Sequence, residues 1–178
     1  MANDKKSNII PELLSDQSWR NSDLDKRFFE PTYSGAMSLL RRPYSVAFDE
    51  ADIVVAGIPF DNATTFRPGC RLGPRAVRAA SVQLAELSSF PFGFDPFSIL
   101  KVIDSGDFLL NPHNPETIIS DIYKQAISII SSGASLLSIG GDHFVTYPLL
   151  KAHAELYGPV SLLQFDAHCD TWKSFGEL

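Results

Sequence analysis

A strand–helix–strand unit near the end of the chain constrains the fold more than any other feature. The apolar run 136–139 leads into a GGDH motif at 140–143, and the apolar run 160–165 leads into a DAHCD motif at 166–170. Residues 144–157 between them have the length of a helix and are followed by Gly158-Pro159, a pair that ends helices. A right-handed crossover would place the two strands side by side or nearly so, with both motifs at one sheet edge. Open α/β sheets bind their ligands at that edge.

The rest of the chain continues the same alternation. The uniformly apolar run at 53–58 predicts a strand that is buried on both faces, and residues 99–103 predict a second strand. A helix is predicted to open at Gly73-Pro74 and another after Asn114-Pro115, because proline is favoured in the first turn. The β-α-β-α order predicts an α/β fold with a mainly parallel sheet.

Length and charge limit the classes of function. The 178 residues suffice for one domain, and residues 1–34 are predicted to form a polar amino-terminal arm. That arm is either a partly disordered tail or a segment that packs on a neighbouring subunit. The net charge of -6 argues against nucleic-acid binding and mildly favours a cationic substrate. We expect no membrane span, no export signal and a cytoplasmic location, with two unpaired cysteines.

The two motifs predict a metal centre. Side chains alternate along an extended chain, so Asp166, His168 and Asp170 should point the same way, and His143 can approach from the neighbouring strand end. Carboxylates this close repel one another unless a cation lies between them. Mixed carboxylate and imidazole ligands favour Mn²⁺, Zn²⁺, Co²⁺ or Fe²⁺ over Ca²⁺. The alternative is that all four are solvated polar residues at strand ends.

Several other residues near the two motifs and in the loops also carry expectations. Asp142 should orient a metal ligand or cap the following helix, and Cys169 should point away from the metal into the core. Arg75 and Arg78 should be exposed or lie in an interface. The loop at 62–72 contains Arg67 and Arg71, which either contact the site or another subunit or stabilise the loop. Residues 89–97, rich in proline and phenylalanine, are predicted to form a packed loop that could wall a pocket.

The chain resembles a known family in these motifs. GGDH followed about two dozen residues later by DAHxD is similar to the ureohydrolases, which include arginase, agmatinase, formiminoglutamase and guanidino-acid hydrolases. The resemblance extends to GIPFD at 57–61, RPGCRLGP at 67–74 and DSGD at 104–107, and it covers roughly 44–172. The run GDHFVT at 141–146, with the residues that follow it, is most similar to agmatinases.

The resemblance implies a three-layer αβα fold of the arginase/deacetylase type, truncated at the carboxyl terminus. Residues 35–178 would then be the first part of one ureohydrolase domain. It also implies a homo-oligomer, trimeric or hexameric, and a guanidinium group hydrolysed by hydroxide held between two Mn²⁺ ions. Carried over by position, one ion takes His143, Asp166 and Asp170, and the other takes His168, with Asp166 shared. Asp166 and His168 are the implied catalytic residues.

The substrate expectation depends on Trp172, two residues beyond the DAHCD motif. Arginase-like sequences tend to carry Asn there and formiminoglutamase-like sequences Arg, whereas Trp offers an apolar, cation-attracting face. This favours agmatine, cleaved to putrescine and urea in polyamine biosynthesis, with a guanidino acid as the alternative. A dinuclear metallophosphoesterase and a non-catalytic metal-binding subunit are the rival classes. The 178 residues lack the family's later ligands, so we expect them to be inactive alone.

Overall fold

Three parallel strands form the centre of the molecule. The computed structural model describes residues 33–84 and 90–171, so nearly all of the predicted arm and Trp172 lie outside the described residues. The strands are β1 (Ile53–Ile58), β2 (Val102–Asp107) and β3 (Ser135–Gly140), in the order β2-β1-β3. The predicted α/β class with a parallel sheet is therefore confirmed.

The central strand matches its sequence pattern. Val54, Val55, Ala56 and Ile58 of β1 are fully buried, since this strand has a neighbour on each side and helices over its faces. Strand β2 begins three residues later than predicted. A single 3-10 turn, Pro96–Ser98, occupies the chain just before it, and the carboxylate of Asp95 accepts a hydrogen bond at the start of that turn.

Within the described residues, three α-helices connect and cover the strands. They are α1 (Gly73–Ser81), α2 (Ile118–Ile130) and α3 (Thr146–Tyr157). Helix α1 has proline in its first turn, as predicted. Apolar residues at helical spacing line the buried face of α2, and α3 packs against that helix. The core combines β1 with these faces; its fully buried members outside β1 include Ile122, Ala126 and Ala152. None of the described helices has the length and apolarity that crossing a membrane requires.

The strand order places a crevice between β1 and β3. The chain moves from β1 to β2 on one side, then returns past β1 to β3 on the other side. Because such crossovers are right-handed, α1 and α2 cover opposite faces, which gives the αβα layering. The connections that leave β1 and β3 diverge at this switch of direction, where open α/β sheets bind ligands.

The predicted fourth strand is not formed. Residues 160–171 have no helix or strand, and they pair with none of the three described strands. A strand requires a hydrogen-bonded neighbour, and without one the apolar side chains of this segment stay in solvent. Leu162, Leu163 and Phe165 are 56%, 80% and 93% exposed. The apolar run identified a strand-forming sequence, but a strand also depends on a partner elsewhere in space.

The expectation that Arg78 is exposed is wrong. This residue of α1 is 5% exposed, and its guanidinium donates to both carboxylate oxygens of Asp104, to the Asp107 carboxylate and to the carbonyl of Gly106. Asp104 is fully buried on β2. The pair therefore ties α1 to the end of β2. Its neighbour Arg75 is exposed, as predicted.

The expected packing of the aromatic loop holds for Phe97, which is half-buried beneath the Arg42 guanidinium at 3.8 Å, but not for the other three described phenylalanines. Phe90, Phe92 and Phe94 are 94%, 70% and 45% exposed, and the rings of Phe92 and Phe94 contact each other. None of them lines the cleft described below. Composition correctly indicated a segment with little regular structure, but it could not show whether another part of the chain covers it.

Candidate metal centre

Three of the four predicted ligands lie together at the carboxyl edge of the sheet. His143 follows β3, and Asp166 and Asp170 come from the segment after α3. Each offers one ligand atom, and these atoms all lie within 4.8 Å of one another. The Nε2 of His143 is 2.8 Å from the Oδ2 of Asp170. One imidazole and two carboxylates at this spacing form a donor set that suits Mn²⁺ or another first-row divalent cation.

The fourth predicted ligand lies at the margin of this cluster. The Nδ1 of His168 is 3.5 Å from Asp166 Oδ1, and the His168 side chain is 82% exposed. The alternation expected of an extended strand does not hold, because the chain bends at 167–168 and Asp170 has a φ of 50°. His168 is connected to Asp166 mainly through its backbone, whose N–H donates to Asp166 Oδ1 at 2.9 Å.

Hydrogen bonding favours the ionised form of one of the three ligands. The backbone N–H of His168 is the main cause that lowers the pKa of Asp166, and the nearby imidazoles of His168 and His143 act in the same direction. A carboxylate must be deprotonated to bind a metal. The local backbone therefore prepares Asp166 for ligation before any cation is present.

Asp142 is a buried carboxylate beside the cluster. Its Oδ1 accepts the backbone N–H of Phe144 at 3.0 Å, so the predicted cap is confirmed. Its Oδ2 accepts the N–H of Ala63 at 2.9 Å, a contact that joins the connection after β1 to the connection after β3. Burial is the main cause that raises the pKa of Asp142, and these two N–H donors oppose it.

A cleft of about 1060 Å³ opens at the metal-ligand cluster. One wall belongs to the connection after β1 and the other to the two motifs; the lining residues are Ala63, Thr64, Thr65, Phe66, Arg67, Asp142, His143, Phe144, His168, Cys169 and Asp170. Apart from the possible site contact of Arg67, the sequence patterns did not predict that the connection after β1 forms one wall. That connection lies beside the two motifs because of the strand order, which no sequence pattern reveals. The expectation that Cys169 is a core residue is wrong, because it is exposed and lines the cleft.

The connection after β1 is held by a second buried carboxylate. Asp61 is 2% exposed and accepts the backbone N–H groups of Gly69, at 2.7 Å, and Arg71, at 3.3 Å. It also forms an ion pair with the Arg71 guanidinium. The hydrogen bond from the Arg71 side chain is the main cause that lowers the pKa of Asp61 to about 2. Arg71 therefore stabilises the loop, one of its two predicted roles.

The chain matches known proteins over most of its length. The model of the arginase family matches residues 51–177. A protein named agmatinase from Chromobacterium violaceum is 53% identical over 161 residues, which are 90% of this chain and 50% of that protein. An agmatinase from Neisseria meningitidis serogroup B is 44% identical over 128 residues, 71% of this chain and 42% of that protein. The chain thus spans about half the length of these curated relatives.

Solved structures agree in fold. A hypothetical agmatinase from Burkholderia thailandensis superposes with a TM-score of 0.80 at 56% identity, over 82% of this chain and 47% of that one. Proclavaminate amidino hydrolase from Streptomyces clavuligerus gives 0.73 at 32% identity, over 82% and 49%. Trypanosoma cruzi formiminoglutamase with Mn²⁺ gives 0.53 at 25% identity, over 64% and 38%. With the family model matched over more than half of its residues, the chain belongs to the arginase family.

Proposed function

We propose that this protein takes part in the metal-dependent hydrolysis of a guanidinium group, with agmatine as the substrate and putrescine and urea as the products. The observation that carries the proposal is the cluster of His143, Asp166 and Asp170 at the cleft. The relatives named agmatinase support the substrate, and proclavaminate amidino hydrolase by its name acts on an amidino group. Polyamine biosynthesis is the process to which this reaction belongs.

The metal proposal assigns roles to the four predicted residues. In this proposal His143, Asp166 and Asp170 would hold one Mn²⁺, and His168 together with Asp166 would help to hold a second. The formiminoglutamase of Trypanosoma cruzi, whose structure was solved with Mn²⁺, supports this choice of metal. Such cations supply hydroxide at neutral pH, because they lower the pKa of a water ligand. Asp166 and His168 remain the proposed catalytic residues.

The cleft walls can position the substrate. Phe144 and Phe66 are aromatic side chains on opposite walls, 37% and 81% exposed. An aromatic face attracts a guanidinium cation and also packs against the methylene chain of agmatine. The carboxylates of Asp166 and Asp170 add negative charge near the cationic group. The residues of this chain would therefore orient the guanidinium carbon toward the metal-ligand cluster.

A guanidino acid is the second candidate, and Arg67 is the observation that favours it. This arginine lines the cleft, and its guanidinium lies 4.9 Å from the centre of the Phe66 ring. A fixed positive charge would attract a substrate carboxylate and repel the ammonium group of agmatine. Trp172, the residue whose type favours agmatine, lies outside the described residues. The remaining alternatives are a metal-binding subunit without activity and a metallophosphoesterase.

Oligomer formation and cytoplasmic location also remain proposals. The trimeric or hexameric assembly comes only from the family resemblance. The cytoplasmic location is supported by two cysteines, Cys70 and Cys169, that form no disulfide. Size-exclusion chromatography with light scattering tests the assembly directly.

Calorimetric titration with Mn²⁺ tests the metal centre first. We expect binding by the wild-type chain and a loss of affinity of at least tenfold in Asp166→Asn, because a neutral amide replaces a charged ligand. Asp121→Asn makes the same chemical change on α2, away from the cleft, and should bind as the wild type does. Absence of Mn²⁺ binding by folded wild-type protein would overturn the proposal.

The substrate is tested by release of urea from agmatine, arginine and 4-guanidinobutyrate by a chain extended to the full length of the curated relatives, because the 178 residues alone are expected to be inactive. Agmatine should be cleaved fastest among the three, and faster cleavage of arginine would contradict the assignment. Preference for 4-guanidinobutyrate, abolished by Arg67→Gln, would establish the second candidate. Metal binding with phosphate release from a phosphate ester and no urea would favour the metallophosphoesterase. Metal binding without either product would favour the non-catalytic subunit.

A further inference from the structure

The two walls of the cleft are joined by one side chain. Asp142 is 9% exposed, and its two carboxylate oxygens accept N–H groups from different connections, Phe144 after β3 and Ala63 after β1. Its own N–H donates to the carbonyl of Phe60 at 2.8 Å. His143 lies between Asp142 and Phe144 in the chain. Any change in the position of the His143 turn must therefore act on the hydrogen bond to Ala63.

The connection after β1, residues 61–72, is here called the cleft loop. Asp142 holds the cleft loop near its start, through Ala63, and Asp61 holds it near its end, through Gly69 and Arg71. Between these attachments the loop carries Phe66 and Arg67, which face the cleft. Both are exposed, so little packing fixes their positions. The two carboxylates thus restrain this wall on both sides of Phe66 and Arg67.

We propose that Asp142 is a positioning residue that couples metal binding at His143 to the order of the cleft loop. This inference rests on the proposed metal centre and adds to it. A cation bound by His143 restrains residues 142–144, and the Asp142–Ala63 hydrogen bond transmits that restraint to the loop. Coupling between two sites is reciprocal. The loop contact must therefore also favour the arrangement of His143 that binds metal.

The Asp142→Asn variant tests the coupling with the least change to the fold. A carboxylate accepts at both oxygens, whereas a side-chain amide has one accepting oxygen and one NH₂ donor. The amide introduced by Asp142→Asn could therefore accept from Phe144 or Ala63 but not from both, while the size of the side chain stays the same. Ala63→Pro removes the donor on the other side of the same hydrogen bond and leaves the Asp142 carboxylate intact. Asp121→Asn is the matched control on α2.

Hydrogen–deuterium exchange of the 178-residue chain, with and without Mn²⁺, measures the coupling without any assay of activity. In wild-type protein and in Asp121→Asn, we expect Mn²⁺ to slow exchange in the peptide that covers 61–72 by at least fivefold. In Asp142→Asn and Ala63→Pro this slowing should be lost, and calorimetry should show at least fivefold weaker Mn²⁺ binding, the lower range of ordinary couplings. Without metal, both variants should exchange the cleft loop faster than wild type.

The outcomes distinguish this inference from the proposed function. No Mn²⁺ binding by wild-type protein overturns the metal centre and the coupling together. Mn²⁺ binding without slower exchange at 61–72, or slowing that persists in both variants, overturns the coupling alone. Unchanged exchange of the α2 peptide at 118–130 verifies that a variant is folded. If Asp142→Asn fails this check, Ala63→Pro decides the result.

Discussion

Removal of Arg78 from its buried ion pair with Asp104 is expected to destabilise the fold strongly. Burial alone would lower the pKa of Arg78, but hydrogen bonds to Asp104 and Asp107 raise it overall, so the guanidinium stays charged. Arg78→Met keeps the length and apolar stem of the side chain. It leaves Asp104, which is fully buried, without its positive partner. Removing one member of a buried pair costs about 3–5 kcal/mol, since a charge is left uncompensated.

The surroundings of Asp104 place the expected loss at the lower end of that range. Its two oxygens keep hydrogen bonds from the backbone N–H groups of Leu39, at 2.7 Å, and Gly106, at 2.9 Å. We therefore expect Arg78→Met to lower the free energy of unfolding by about 3 kcal/mol. For a chain of this size that corresponds to a fall in Tm of roughly 6–12 °C. The total free energy of unfolding of a native domain is only about 5–15 kcal/mol, so this loss would be a large fraction of it.

Urea denaturation followed by circular dichroism measures this loss at neutral pH. Arg75→Met changes an exposed arginine of the same helix, and it should alter stability by no more than about 0.5 kcal/mol. The double variant Arg78→Met with Asp104→Asn should be less destabilised than the sum of the two single variants, because the uncompensated charge is gone. A loss below about 1 kcal/mol for Arg78→Met, or additive effects, would refute the reasoning.

Two further predictions concern the cleft loop and the turn that meets it. Asp61→Asn should destabilise the protein at pH 6, and its deficit relative to wild type should shrink as the pH of the urea titrations is lowered toward about 2.5. In the folded protein the pKa of Asp61 is lowered to about 2, so the ionised side chain stabilises the fold at pH values above the pKa that it has in the unfolded chain. This stabilisation is lost as the pH falls toward the folded pKa. A constant deficit would contradict the ionised pair. Gly141→Ala should lower the free energy of unfolding by about 3 kcal/mol in the same titration. The Cβ that it adds would lie 2.5 Å from the Ile58 carbonyl oxygen and closer still to the Phe60 carbonyl oxygen. Wild-type stability in this variant would show that the backbone relaxes to accept the Cβ.

Local patterns in the sequence were sufficient to predict the strands and helices that pack against described neighbours. The uniformly apolar run at 53–58 correctly predicted a strand buried on both faces, and Gly73-Pro74 correctly predicted the start of α1. These features depend on side-chain periodicity and on proline geometry, which act within a few residues. The choice of His143, Asp166 and Asp170 also came from local spacing after apolar runs, and the fold brings those three together.

Contacts between distant parts of the chain were decided only by the tertiary structure. The run at 160–165 has a strand-like composition, yet it forms no strand because no described neighbour supplies the hydrogen bonds. Arg78 has the local pattern of a surface residue, yet Asp104 and Asp107, 26 and 29 positions away, neutralise its charge in the folded protein. Ala63 reaches Asp142 across 79 positions because the order β2-β1-β3 places their connections side by side. Periodicity determines which surface of an element is apolar, whereas strand order determines which polar groups meet, and that order depends on the packing of the whole domain.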